Sequence, residues 1–281
     1  MTRTAIIFPG QGVRTADLRA IVEAHDPELL RQLESLAGPD VFARAAESTR
    51  FAQPAIFCVD LVLWQSARSS GDCGDPLAYS GHSLGELPAL VAGGSIDQDA
   101  GLWLAAERGR LTAAVAQETD GAMLALLGFG IEEAAELALE HGVHLSNDNC
   151  PGQVVLSGAR KDLESVLRTS EAAERRALML DVEGAFHSPL MAPAVAPFEA
   201  VLSQVRFAAP QQPVFSGIAA EPFSDIPAQL AAALTQPVRW RETVTALQRF
   251  GAEEFVECGP ERVLMKLVNR ILPHRNGGPR P

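Results

Sequence analysis

The chain has 281 residues, of which 47% are hydrophobic and 21% charged, and its formal net charge is −12. Such a length buries one large core, or a core carrying an inserted subdomain, and the composition is that of an ordinary soluble globular protein. The chain has no apolar run near twenty residues, which excludes a membrane-spanning helix, and the acidic balance argues against nucleic-acid binding.

In chain order, Thr4–Phe8 reads as a first strand and not as a signal peptide, because its apolar stretch ends at Pro9-Gly10. Helices are expected over Asp17–Ala24, Glu28–Leu36 and Gln53–Ala67, followed by a strand over Leu77–Ser80. Gly81-His82-Ser83-Leu84-Gly85 then has the form G-x-S-x-G, and helix-compatible residues run from Leu84 to Ala92. A serine on such a strand-to-helix turn sits in a strained backbone with its hydroxyl above the sheet. The next helix is expected over Asp99–Ala116. Alternation of this kind implies a parallel sheet covered by helices on both faces.

From Gly121 the rhythm changes. Ala122–Leu127 reads as a strand, Ile131–His141 as a helix, and Val143–Ser146 and Gln153–Ser157 as strands joined by a turn over Asn147-Asp148-Asn149-Cys150-Pro151-Gly152. Lys161–Ala173 reads as a second helix and Ala177–Val182 as a closing strand. The order β-α-β-β-α-β is the ferredoxin-like unit. The expected fold is therefore an α/β-hydrolase-like parallel-sheet core (residues 1–120 and 189–281) with an inserted ferredoxin-like subdomain (121–188). The core resumes with a strand over Gln212–Ser216, a helix over Thr243–Phe250 and a strand over Glu254–Cys258. The tail from His274 reads as disordered.

A serine hydroxyl needs a base to take its proton. Of six histidines, His25, His141 and His274 sit in charged or terminal segments, His144 in a short strand, and His82 beside the serine on a turn where successive residues point apart. His187 lies at the exit of the expected insertion, and spacing favours it modestly. Asp181 is the one nearby candidate for a third, orienting carboxylate, placed in a strand. Cys58, Cys73, Cys150 and Cys258 lack C-x-x-C spacing and read as free thiols in a reducing cytoplasm, so no metal site is expected.

An ordered series completes the reading: Phe8-Pro9-Gly10-Gln11-Gly12, Gly81-His82-Ser83-Leu84-Gly85-Glu86, Glu107-Arg108-Gly109-Arg110, Gly121-Ala122-Met123, Asn149 to Val155, Gly184-Ala185-Phe186-His187-Ser188, Pro237-Val238-Arg239-Trp240 and Glu257-Cys258-Gly259-Pro260. It resembles the malonyl-CoA:acyl carrier protein transacylase family, which includes the acyltransferases of polyketide synthases, over nearly the whole chain. The resemblance implies that Ser83 carries the acyl group and His187 is its base. It assigns the oxyanion hole to Gln11 and the Leu84 backbone N–H, each donor contributing about 3 kcal/mol to the transition state. Arg108 would grip the free carboxylate of a malonyl group, and Phe186 would disfavour a 2-methyl branch by about 1–3 kcal/mol. Asn149 and Gln153, and with the same standing Gln53, match polar positions of the family, for which local turn and strand hydrogen bonding is at least as good a reading. The backbone carbonyl of Ala233 would orient the histidine. Basic residues for CoA phosphates or a carrier protein would come from Arg160, Lys161, Arg168, Arg175, Arg176, Lys266, Arg270 and Arg275.

What the resemblance implies is a stand-alone cytoplasmic monomer that moves a malonyl-type unit from acyl-CoA (malonyl-CoA foremost) to an acyl carrier protein, without a cofactor, in fatty acid or polyketide synthesis. Two departures bear on the choice of acyl unit: Val13-Arg14-Thr15 after Gly12, and Leu87-Pro88 in the helix after the serine. The alternatives are transfer of an unusual acyl group between carrier proteins, an editing acyl hydrolase, a non-catalytic carrier-binding scaffold, and an α/β-hydrolase esterase. Arg108 speaks against the hydrolase, and the lack of a convincing carboxylate between Ser83 and His187 speaks against the esterase.

Overall fold

Thr4-Ala5-Ile6-Ile7-Phe8 shows no polar alternation, the pattern of a strand covered on both faces, and it forms β1 (Thr4–Phe8), every residue of which is buried. The computed structural model describes residues 2–12 and 18–273. After β1 come α1 (Arg19–His25), α2 (Pro27–Ala37), α3 (Val41–Arg44), α4 (Thr49–Ser70), β2 (Pro76–Gly81), a 3₁₀ turn at Ser83–Gly85, α5 (Glu86–Ala92) and α6 (Gln98–Glu118). Then follow β3 (Gly121–Leu127), α7 (Ile131–His141), β4 (His144–Cys150), β5 (Gln153–Ala159), α8 (Arg160–Ala172) and β6 (Arg176–Met179). The chain closes with α9 (Ala192–Leu202), β7 (Val214–Phe215), α10 (Ile226–Ala232), α11 (Trp240–Phe250), β8 (Glu254–Glu257) and α12 (Val263–Ile271).

The strands make two sheets. One, of order β7-β2-β1-β8, is parallel throughout. Alternate residues of β1 face opposite ways: Ile6 and Phe8 join the core with α4 and α5, while Ala5 and Ile7 join Val244, Leu247 and Leu264 under α11 and α12. The other, of order β4-β5-β3-β6, is antiparallel, the arrangement of a ferredoxin-like subdomain. β4 of the antiparallel sheet is tied to α11 and the segment just before it. Asp148 N–H donates to Val238 O (2.9 Å), Val238 N–H to Ser146 O (2.8 Å), and Arg241 pairs with Asp148 at 2.7 Å.

Several expectations need correction. Asn147–Cys150 belongs to β4, so the turn is only Pro151-Gly152, with Gly152 at φ 76°. Polar residues can stay in this strand because the neighbouring elements supply their partners. The closing strand ends at Met179, Leu180 N–H makes a last bond to Met123 O (2.9 Å), and Asp181 is exposed outside any strand. The helices α3, α9, α10 and α12 were not anticipated. Pro193 is harmless in the first turn of α9, where its missing N–H has no partner within the helix. Asp17, Val13-Arg14-Thr15, Arg275 and the tail from His274 lie outside the described residues. Among the described residues no helix is long and apolar enough to cross a membrane, and all four cysteines are free and buried.

Candidate active site

Ser83 sits between β2 and α5 with φ 55°. The glycines around it are required by close approach. A Cβ on Gly81 would lie 1.9 Å from Gly85 C, and one on Gly85 would lie 2.2 Å from Phe8 O. The turn therefore folds against the end of β1 and lifts the serine above the parallel sheet.

Ser83 Oγ lies 2.8 Å from His187 Nε2. His187 Nδ1 lies 2.7 Å from the carbonyl oxygen of Ala233, which can only accept, so Nδ1 carries the proton and Nε2 faces Ser83 with its lone pair. Asp181 takes no part, and a main-chain carbonyl stands where a triad would place a carboxylate. Burial pushes the His187 pKa down to about 3, helped by the charge of Arg108 and by His82, so the ring is neutral near pH 7.

Arg108, on α6, is 8% exposed. A Cβ on Gly109 would lie 2.9 Å from Thr49 O, so this glycine lets α6 pack close to the start of α4. Arg108 Nη2 donates to Ser83 Oγ (3.1 Å) and Nη1 to Gln53 Oε1 (2.8 Å). Burial lowers its pKa to about 10, against the opposing charge of Glu86. Glu86 itself is buried and accepts from Gly217 N–H at 2.7 Å; burial raises its pKa to about 7, against that hydrogen bond and Arg108.

Gln11, His82, Ser83, Asn149, Phe186 and His187 line one cavity of about 160 Å³, closed on the ferredoxin-like side by Met123, Val155, Leu180 and Val182. The His82 ring meets Asn149 Oδ1 at 2.9 Å, turned toward β4 and away from the serine hydroxyl, and burial lowers its pKa. Gln53 stands behind the cavity, hydrogen-bonded to Arg108, Thr49 and Thr112, and Ala233 stands behind His187. The Leu84 side chain is buried in the core, and its backbone follows Ser83 directly. A larger hollow of about 740 Å³ beside α11 contains neither Ser83 nor His187 and carries no chemistry of this kind. Of the basic candidates, Arg160 pairs with Asp120, Arg175 with Glu133, and Arg270 holds Gln153 and Pro151 O. Among the described residues no group of three or more His, Cys, Asp or Glu could hold a metal ion.

Sequence reading passed over Thr49, Thr112 and the contact between His82 and Asn149. A signal for the threonines was present: Thr49 precedes Gln53 by one helical turn, and Thr112 follows Arg108 by one.

A strained serine, a neutral imidazole on its hydroxyl and a buried guanidinium alongside define a protein equipped for acyl transfer through serine. Residues 18–279 match the acyl transferase domain model. The chain is 34% identical over 286 residues to the polyketide biosynthesis protein ThaF of Burkholderia thailandensis, covering 97% of this chain but 24% of ThaF, so it spans about a quarter of that relative. It is 33% identical over 279 residues to the polyketide biosynthesis malonyl CoA-acyl carrier protein transacylase BaeC of Bacillus velezensis, covering 94% of this chain and 95% of BaeC. Among solved structures it matches PlMCAT:AntF, a type II polyketide synthase acyl-carrier protein in complex with its malonyl-transacylase. The TM-score is 0.87 at 32% identity, over 97% of this chain and 94% of that one. The chain belongs to the acyl transferase domain family, within its malonyl CoA-acyl carrier protein transacylases.

Proposed function

We propose that the protein transfers a malonyl unit from malonyl-CoA to the phosphopantetheine thiol of an acyl carrier protein, in polyketide or fatty acid synthesis, through an ester on Ser83. The observation that carries this reading is Arg108, a buried cation whose Nη2 lies 3.1 Å from Ser83 Oγ. A simple acyl chain has no use for a guanidinium beside the nucleophile, whereas a malonyl carboxylate can accept two parallel hydrogen bonds from it. The same observation disfavours hydrolytic editing of plain acyl groups.

In the first half-reaction His187 Nε2 takes the Ser83 proton as Oγ attacks the thioester carbonyl. The oxyanion is held by the Leu84 N–H and by Gln11, and the imidazolium gives its proton to the leaving CoA sulfur. In the second half-reaction the carrier thiol gives its proton to His187, attacks the ester, and Ser83 regains a proton. Asn149 and Phe186 border the acyl group, and Gln53 steadies Arg108. The reaction needs a nucleophile, a base and hydrogen-bond donors, and in this reading the protein uses no metal or redox cofactor and acts as a cytoplasmic monomer. In this reading residues 121–188 form the inserted subdomain and 1–120 with 189–281 the larger one.

The test is incubation with malonyl-CoA and a holo-carrier protein, followed by mass measurement of the carrier. A malonyl thioester on the carrier supports the reading. A carrier left unloaded while malonate accumulates would point to hydrolysis.

A further inference from the structure

Glu86 ends the Gly81–Glu86 motif and opens α5, three residues after Ser83, yet none of the acyl-transfer steps employs it. Both Glu86 and Arg108 are buried, and their hydrogen bonds lead apart. Glu86 Oε1 accepts from Gly217 N–H at 2.7 Å, a main-chain donor that fixes the direction of the bond, whereas Arg108 donates to Ser83 Oγ and Gln53 Oε1. Of β1, β2, α4 and α6, which pack on α5, only α6 brings a charge to bear on Glu86 among the described residues, and that charge is Arg108. From the segment after β7 it meets Ser216 and Gly217, which carry no charge. Glu86 is in turn the charge that acts on Arg108.

A charge taken out of water has to be compensated by an opposite charge or by hydrogen-bond donors. In the free protein one buried cation and one buried carboxylate balance. A malonyl carboxylate held by Arg108 makes two anions to one cation, and the surplus falls on Glu86. Burial already raises the Glu86 pKa to about 7, and a second anion nearby raises it further, so protonation near neutral pH costs little.

We propose that Glu86 is a specificity-determining residue for the acyl donor: it is the buried counter-charge of Arg108, and it takes up one proton from solvent when a malonyl carboxylate engages that guanidinium. The proton returns to solvent when the malonyl group leaves. The proposal rests on the roles of Ser83 and Arg108 given above. An acetyl group adds no charge and calls for no proton, so the preference for malonyl over acetyl is tied to pH through Glu86.

The test is competition between malonyl-CoA and acetyl-CoA for Ser83 from pH 6 to 8.5, with the two esters counted by intact mass after brief mixing. In wild type the malonyl-to-acetyl ratio should fall roughly five- to tenfold over this range, the effect of a shift of about one unit in the Glu86 pKa on malonyl binding. His187, which protonates near pH 3, serves both donors alike and drops out of the ratio. Glu86→Gln keeps an oxygen for Gly217 N–H but carries no charge, so its ratio should be level with pH and exceed that of wild type at pH 8.5 by the same factor. The wild-type profile needs no variant and stands as a test even if Glu86→Gln does not fold. A wild-type ratio level across the range, or a Glu86→Gln ratio that falls as steeply as that of wild type, would overturn the proposal alone. A wild type that forms no malonyl ester on Ser83 would overturn the reading of the site, and the proposal with it.

Discussion

Ser83 and His187 meet at 2.8 Å, and both hold backbones in the left-handed region, at φ 55° and 57°. Neither is glycine, and an L-residue in this conformation costs roughly 1–2 kcal/mol. The packing around the two residues holds them there: the turn at Ser83 is wedged between Gly85 and the end of β1, and His187 is 5% exposed and anchored to Ala233. Ser83→Gly should therefore be more stable than Ser83→Ala by about 1 kcal/mol, although both lack the nucleophile. Denaturant unfolding of the two variants checks this, and equal stabilities would remove the strain argument.

Whether an element could be read from the sequence follows from where its partners lie. The G-x-S-x-G turn was legible because its demands are local: two glycines, a strand before and a helix after. The ferredoxin-like order was legible from its alternation. The Asn147–Cys150 strand was not, because Arg241 satisfies Asp148 and His82 satisfies Asn149 from distant parts of the chain. In α9, Pro193 and Pro197 hid a helix that the apolar partners Ala194, Phe198, Val201 and Leu202 stabilise by burial. At the site, the spacing of Thr49 and Gln53 was visible, but their link to Gln11 and Arg108 exists only once α4 and α6 pack together.

Burial holds His187 in its neutral form, and the cation of Arg108 adds to that effect. Removing that charge raises the His187 pKa, so the acid limb of the pH profile should move to higher pH in Arg108→Ala. Acylation of Ser83 by acetyl-CoA, which has no carboxylate for Arg108 to grip, is the reaction to follow. In wild type the rate should stay level from neutral pH to well below 6.5, because His187 protonates only near pH 3. A limb that does not move in the variant would show that Arg108 does not set the base.

In the proposed reaction Arg108 also governs donor choice. Arg108→Ala should slow malonylation of Ser83 by roughly 10–100-fold, the loss expected for charge-assisted hydrogen bonds to a carboxylate, while leaving acetylation equal or faster. Competition between malonyl-CoA and acetyl-CoA, read as the ratio of the two esters, measures this directly.

Gly85 and Gly130 make a paired test of the turn. A Cβ at Gly85 would meet Phe8 O at 2.2 Å, whereas one at Gly130 would meet nothing within 4 Å. Gly85→Ala should cost roughly 1–3 kcal/mol or more, and Gly130→Ala should stay within about 0.5 kcal/mol of wild type. Thermal or urea unfolding of the purified variants separates the two cases.

The central claim is that malonyl-CoA acylates Ser83, and the most direct measurement is the intact mass of the protein after brief mixing with malonyl-CoA, in wild type and in Ser83→Ala. A single malonyl adduct on the wild type that is absent from Ser83→Ala is the predicted result. An adduct that persists in Ser83→Ala, or a wild type that stays unmodified while malonyl-CoA is consumed, would contradict the acyl-enzyme on Ser83.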